Sequence, residues 1–486
     1  MEEKFYKKFT EPKKAAHKKA AIKNAKKSIN DSQNNKTAAA NSKSTAANSK
    51  AYTAKNSASN KTAAANSRSA SAGKSSAHNT YKILNSLFNQ TSLPSDAIEI
   101  LENFDQLVQG VKPLNSKQLQ RLPDDIKALS HQLTDQRSER RLGYMNENVQ
   151  LSAYVRYYTW WNFVRLTRLF SNMDKKSFPQ QEEICLDLGS GPLTVISALW
   201  LARPELRQLK LTWYCLDVSA NSMALGEDLY LSIAAKTIAN QNASPWKIIR
   251  VKGSFGTAIK QKAGFITCAN MFNELDQSGT MPPEYQTKKY YEQLRAYGTE
   301  NAKYILVEPG VPKAARTLSL LRERFIKDSF TVAAPCPHAQ ECPMNGFKAY
   351  TGSQNKWCNF AFSTQTAPKK LLQLSEKAKL PKERATLSFI CAGKIQESDN
   401  SKSKIQNQEL LCRIASDNFK LPQGKTGVYA CSALGLTLLS TRNYSSGLDG
   451  TPQQQLNSGD LISVKLKTPE NSLQKDEKSG AIKIEL

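Results

Sequence analysis

Between residues 181 and 330, short apolar runs alternate with longer amphipathic stretches. Ile184–Leu188, Thr212–Asp217, Lys247–Val251, Gly264–Ala269 and Lys303–Val307 are the runs, and helical spacing fills 221–240, 283–298 and 314–327. Apolar runs of this length without polar alternation are strands buried on both faces. Strand alternating with helix predicts a parallel, doubly wound α/β sheet that binds ligand at the carboxyl ends of its strands. Upstream, Tyr81–Phe88 starts a predicted helix, Ala97–Val108 is amphipathic, and Leu119–Leu133 is helical with Pro123 near its start. Leu151–Phe170 carries Tyr154, Tyr157, Tyr158, Trp160, Trp161 and Phe163. Such a stripe stacks bases in some proteins, but packing on the sheet is the reading its buried area favours. After residue 380 come short strands at Ala385–Ala392, Leu410–Ile414, Gly427–Cys431, Leu436–Ser440 and Asp460–Lys465, which suggest a small β-rich unit of OB-like barrel form. The expected divisions are a basic low-complexity tail (1–80), a helical part (81–180), a Rossmann-like domain (181–330), a cysteine loop with the β-rich unit (331–466) and a flexible tail (467–486).

The first run ends in a turn that carries chemistry. Asp187-Leu-Gly189-Ser-Gly191-Pro separates strand from helix, where glycines let backbone approach a ligand and the helix N-terminus adds donors. The second run ends in Asp217, placed to take both hydroxyls of a ribose. No Lys-Ser/Thr follows the turn, which argues against a nucleoside triphosphate. The Asp-x-Gly-x-Gly-Pro form resembles motif I of the Rossmann-like S-adenosylmethionine methyltransferases. The resemblance implies cofactor contacts from Asp187, Gly189, Gly191, Asp217 and Asn270. Leu193 departs from it, standing where a third glycine is common. Asn270–Leu275 lies where amino-methylating enzymes carry Asn/Asp-Pro-Pro-Tyr, yet neither the prolines nor the tyrosine is present. Cys268, the nearest thiol, falls inside an apolar strand and reads as core, so no catalytic residue is assigned.

Charge changes the picture of partners. The chain carries +26 at neutral pH, pI near 9.6, which points to nucleic acid. Residues 1–80 hold Lys, Ala, Asn and Ser, and NKTAAANSKS at 35–44 recurs as NKTAAANSRS at 60–69. Too little apolar area is present there to offset conformational entropy, so the segment reads as a basic arm for RNA phosphates or a solvated tail. Arg137, Arg140 and Arg141 are further RNA candidates, as are Lys394, Arg413, Lys420, Lys425 and Arg442. No apolar run reaches the length of a membrane span. Nine scattered cysteines suit reduced thiols or metal ligands rather than a disulfide framework. The Met1-Glu-Glu start, with Lys rather than Arg, favours a bacterial-type cytoplasm, with the mitochondrion as alternative.

The remaining motif is Cys336-Pro-His338, Cys342-Pro and Trp357-Cys358, a proline-stiffened loop whose sulfurs are free to converge. Thiolates so placed suit zinc or an iron–sulfur cluster, and spacing alone does not choose. His338, Cys391, Cys412 and Cys431 are candidate fourth ligands. Cys431, at a strand end beside a turn, is the best placed. Taken in order, Asp187-Leu-Gly-Ser-Gly-Pro, Glu308-Pro-Gly-Val-Pro with Arg322 downstream, Cys-Pro-His…Cys-Pro, Trp-Cys-x-Phe, Leu-Ser-Phe and a late Gly-x-x-x-Cys resemble one family. It is the methyltransferase-like family associated with the small ribosomal subunit, including the mitochondrial small-subunit assembly factor and its bacterial relatives. The match spans roughly 135–445. It implies a methyltransferase domain using S-adenosylmethionine and a [4Fe–4S] cluster on Cys336, Cys342, Cys358 and Cys431. It also implies a small-subunit ribosomal RNA or assembling-subunit partner.

Overall fold

The computed structural model describes residues 81–135, 143–237, 243–275, 281–346, 356–394, 409–442 and 455–486. The basic arm (1–80) and Arg137, Arg140 and Arg141 lie outside the described residues.

The sheet expected from the apolar runs forms. It is eight-stranded, in the order β4 (Lys247–Lys252), β3 (Leu211–Asp217), β2 (Glu183–Leu188), β5 (Ala263–Ala269), β6 (Gly298–Glu308), β9 (Arg384–Gly393) and β7 (Thr331–Ala334). β8 (Phe360–Ser363) is attached to the start of β9. The first five strands are parallel, and β9 runs antiparallel between β6 and β7. The order reverses between β2 and β5, so the crevice above their carboxyl ends is the place for a ligand. Together with the antiparallel β9, this order is the Rossmann-like fold of the S-adenosylmethionine methyltransferase type.

The N-terminal helices cover one face. α1 (Ser95–Glu102) and α2 (Phe104–Val111) divide the expected Ala97–Val108 helix at Asn103. α3 (Ser116–Leu133) starts on an Asn115/Gln118 capping box. α4 (Asn148–Ala153), a π-helical turn (Tyr154–Thr159) and α5 (Trp160–Asn172) are continuous. Trp160, Trp161, Phe163 and Tyr157 are fully buried, so most of the aromatic stripe is core. The crossover helices are α6 (Thr194–Ala202), α7 (Ala220–Thr237), the short α8 (Phe272–Leu275), α9 (Pro283–Tyr297) and α10 (Pro312–Lys327), with α11 (Lys369–Lys377) later.

A second sheet runs β1 (Tyr81–Ser86), β14 (Asp460–Lys465), β10 (Glu409–Ile414), β12 (Lys425–Ser432), β13 (Gly435–Arg442) and β15 (Ile482–Glu485), with β11 (Phe419–Leu421) on β12. It differs from expectation in three ways. Residues 81–86 are a strand rather than a helix, because Tyr81 and Ile83 alternate onto the sheet's core and pair with β14. Residues 467–486 are not all tail, since β15 pairs with β13 in parallel. Among the described residues the sheet is open, with β1 and β15 at its edges, rather than a barrel. β9, expected in the small unit, belongs to the large sheet. Among the described residues no helix is long and apolar enough to cross a membrane.

Candidate functional site

The crevice above β2 and β3 opens into a pocket. Gly189, Ser190, Gly191 and Thr194 line it from the first turn, and Asp217 and Val218 from the end of β3. Gly253, Ser254 and Phe255 follow β4, and Asn270, Met271, Glu274 and Leu275 follow β5. Met145, Tyr154, Asn162 and Leu166 close it from the N-terminal side.

The turn keeps its form without the third glycine. Leu193 takes the left-handed conformation itself (φ 51°), fully buried, at a cost of about 1 kcal/mol. What holds it there is Gly226 of α7, whose hydrogen faces the Pro192 carbonyl so closely that a Cβ would lie 2.3 Å from the carbonyl carbon. Gly189 and Gly191 have φ of 64° and 48°, which glycine adopts freely.

Asp217 is tied into the same turn. One oxygen accepts from Gly191 N at 2.9 Å and the other from Ser219 N at 2.7 Å. Each oxygen keeps a lone pair for a sugar hydroxyl. Asp187 is fully buried: Thr267 Oγ1 donates to Oδ1 at 2.6 Å, and Oδ2 has no hydrogen-bond partner among the described residues. Burial raises its pKa from 3.8 to about 7. Asp187 is not among the residues lining the pocket; it underlies the turn that does. A carboxyl with a raised folded-state pKa favours folding at low pH, and that advantage is lost as pH climbs from about 4 through 7. Asp187→Asn is therefore expected to raise the melting temperature more at pH 8 than at pH 5. Equal effects at the two pH values would overturn this.

Asn270 sits at the end of β5 with φ 61°, its N–H donating to Val307 O at 2.8 Å. The carboxylate of Glu308, fully buried at the end of β6, accepts from Phe272 N and Asn273 N. It thereby caps α8, where a carboxylate complements the helix dipole. This role escaped the sequence reading, as did those of Gly226 and Asn162. The glycine inside an apolar helix was the available signal for Gly226. Cys268 is buried core, as expected, with its thiol pushed well up by burial.

The four cysteines come from two places. Cys336, Cys342 and Cys358 lie in the loop after β7, and Cys431 on β12 of the second sheet. Arg322 of α10 donates to Cys336 Sγ at 3.1 Å and to the carbonyls of His338 and Gln340, both at 2.8 Å. His338 Nε2 lies 3.0 Å from Cys431 Sγ in a hydrogen bond. Arg413 is buried and donates to Pro335 O, Gly459 O and Asn85 Oδ1, so it anchors this loop rather than an RNA face. Lys425 pairs with Glu485, Lys394 with Glu300, and Lys420 is exposed; the Arg442 side chain lies outside the described residues. Burial pushes the Cys342, Cys358 and Cys431 thiols up, and the neighbouring cysteines add to it. The four are thus close enough to sense one another's charge. Among the described residues, no group of three or more His, Cys, Asp or Glu side chains is gathered tightly enough to hold a metal ion as it stands. Cys391 and Cys412 are buried in strands and take no part.

The family model described as "Mitochondrial small ribosomal subunit Rsm22" matches residues 149–421. No curated protein matches the chain. Similar solved structures include the ribosomal protein L11 methylase of Lactobacillus delbrueckii subsp. bulgaricus, at 15% identity over 36% of this chain and 69% of that one, TM-score 0.23. A methyltransferase from Pyrococcus furiosus is 14% identical over 45% and 78%, TM-score 0.24. A SAM-dependent methyltransferase from Geobacter sulfurreducens, in complex with S-adenosyl-L-homocysteine, is 11% identical over 45% and 90%, TM-score 0.26. These likenesses concern fold alone and add nothing to what the strand order gives.

Proposed function

We infer that this chain, which belongs to the Rsm22 family of the mitochondrial small ribosomal subunit, binds S-adenosylmethionine in the pocket above β2 and β3 and works on or with small-subunit ribosomal RNA. One observation carries the cofactor reading. Asp217 and the glycine turn, distant in sequence, form a single hydrogen-bonded wall at the topological switch point. The nucleoside would lie along that wall with its ribose on Asp217, and the close backbone of Gly189 and Gly191 would leave room for the sulfur end. The reaction class is methyl transfer to RNA. A second reading, cofactor held without transfer, is favoured by the stretch after β5, which lacks Pro-Pro-Tyr and is folded into the capped helix α8.

Cys336, Cys342, Cys358 and Cys431 would hold a [4Fe–4S] cluster, with zinc the alternative. The reading is supported by the chemistry of the donors, four thiols with Arg322 and Arg413 to offset thiolate charge, and a bound cluster would have to draw them closer than they stand. When bound, such a cluster supplies an oxygen-sensitive staple with a redox couple. The protein's own part is to fix the loop through Arg322 and join it to the second sheet at Cys431. RNA binding rests on the +26 charge and on the family. Of the two compartments left open by the sequence, the family description favours the mitochondrion.

Calorimetric titration of S-adenosylmethionine tests the reading. Asp217→Ala is expected to weaken binding by about ten- to a hundredfold; an unaltered protein that binds no cofactor would sink it. Affinity for small-subunit RNA should fall steeply with salt, as counterions released from phosphates are recaptured. A flat salt response would remove RNA from the reading.

A further inference from the structure

Asn162 of α5 lines the pocket and is only 6% exposed. The Nη2 of Arg165 donates to its Oδ1. A guanidinium has no acceptor, so the amide oxygen must face Arg165 and the NH2 is the end left for the pocket. Among the described residues no protein acceptor takes that NH2. Arg165 is itself fixed, its Nη1 donating to Thr386 O of β9 at 2.8 Å. Burial lowers its pKa to about 10, which leaves it charged at neutral pH.

The helix is shaped to present this pair. Residues 154–159 form a π-helical turn, where each residue advances roughly 80° rather than the 100° of an α-helix. Without it, Tyr154 and Asn162 would point about 80° apart by the α-helical count. With it, both line the same pocket. Such turns recur at functional sites. The charges facing Tyr154 are Glu274, Asp217 and Arg165. Among the described residues no lysine or arginine lines the pocket, while Asp217 and Glu274 do. Among the described residues, the cation felt at this end of the pocket is Arg165, directly behind the Asn162 amide.

We propose that Asn162, backed by Arg165, is a specificity-determining carboxylate-recognition element that holds the amino-acid end of a nucleoside ligand whose sugar lies on Asp217. This rests on the cofactor reading above and adds which end of the ligand lies toward α5. The amide offers two donors to carboxylate oxygens, and Arg165 supplies the compensating charge through it.

The test is calorimetry with two probes. S-adenosylhomocysteine carries the carboxylate; 5′-methylthioadenosine carries the same nucleoside without the amino-acid end. Asn162→Asp keeps the volume and the pairing with Arg165 but sets an anion against the ligand's own. It is expected to weaken S-adenosylhomocysteine by at least about tenfold and leave 5′-methylthioadenosine unchanged. Asn162→Ala, which removes the donors without adding charge, should show the same selectivity more weakly. Equal losses for both probes, or no loss for either, would overturn the proposal while leaving the pocket reading intact. An unaltered protein that binds neither probe would end both.

Discussion

Protein purified without oxygen is expected to be brown and to carry about four irons and four sulfides per chain. Serine at any of Cys336, Cys342, Cys358 or Cys431 should bring the iron to background. The expectation rests on where the thiols sit. Three belong to a loop clamped by Arg322, and the fourth to a strand of another sheet. Loss of one ligand therefore also loosens the join between the sheets, and the serine variants should melt at lower temperature than the unaltered protein. Cys391→Ser and Cys412→Ser, in strands away from the loop, should keep full iron. A colourless protein holding about one zinc would select the alternative metal, and a protein with neither would remove the cluster. Air exposure should bleach the brown form without unfolding the pocket above β2 and β3, whose lining residues include none of the four cysteines.

Gly226→Ala is expected to cost roughly 3 kcal/mol and to abolish ligand binding. At most sites in a helix this exchange stabilises, by about 1 kcal/mol. Here the new methyl would meet Pro192 C at 2.3 Å, Pro192 O at 2.6 Å and Leu193 N at 2.7 Å. All three are backbone atoms, so no side chain can swing away. Either α7 retreats or the turn moves, and the turn carries Gly191 and its bond to Asp217. Thermal melting and the calorimetric titration read the two effects separately. A variant as stable as the parent would show that α7 and the turn are not in forced contact.

The large sheet was legible in the sequence because its strands are buried on both faces and read as apolar runs. Gly189, Gly191, Asp217 and Asn270, proposed through spacing and resemblance, all line the pocket at one end of the sheet, while Asp187 underlies the turn instead of lining it. The second sheet was half legible. Its late strands alternate or run apolar, but β1 offers only Tyr81 and Ile83 inward, too little pattern to separate strand from helix start. Its partner β14 lies at the far end of the chain. Arg413 was misread because a surface lysine and an anchoring arginine look alike without neighbours; only its three backbone and amide acceptors reveal it. Asn162 was hidden for a different reason. The π-turn changes the residue's azimuth, and nothing in an aromatic-rich helix announces an extra residue per turn.

The pairing of β1 with β14 also sets an order of events in time. During synthesis residues 81–86 emerge before the large sheet, while their hydrogen-bonding partner emerges long after it. β1 must therefore wait, with an unmade edge, until β14 has left the ribosome. The second sheet closes last. Cys431 belongs to the same sheet, on β12 between β10 and β13. A chain cut short after β9 would hold the pocket above β2 and β3 yet lack both the β1–β14 clasp and Cys431.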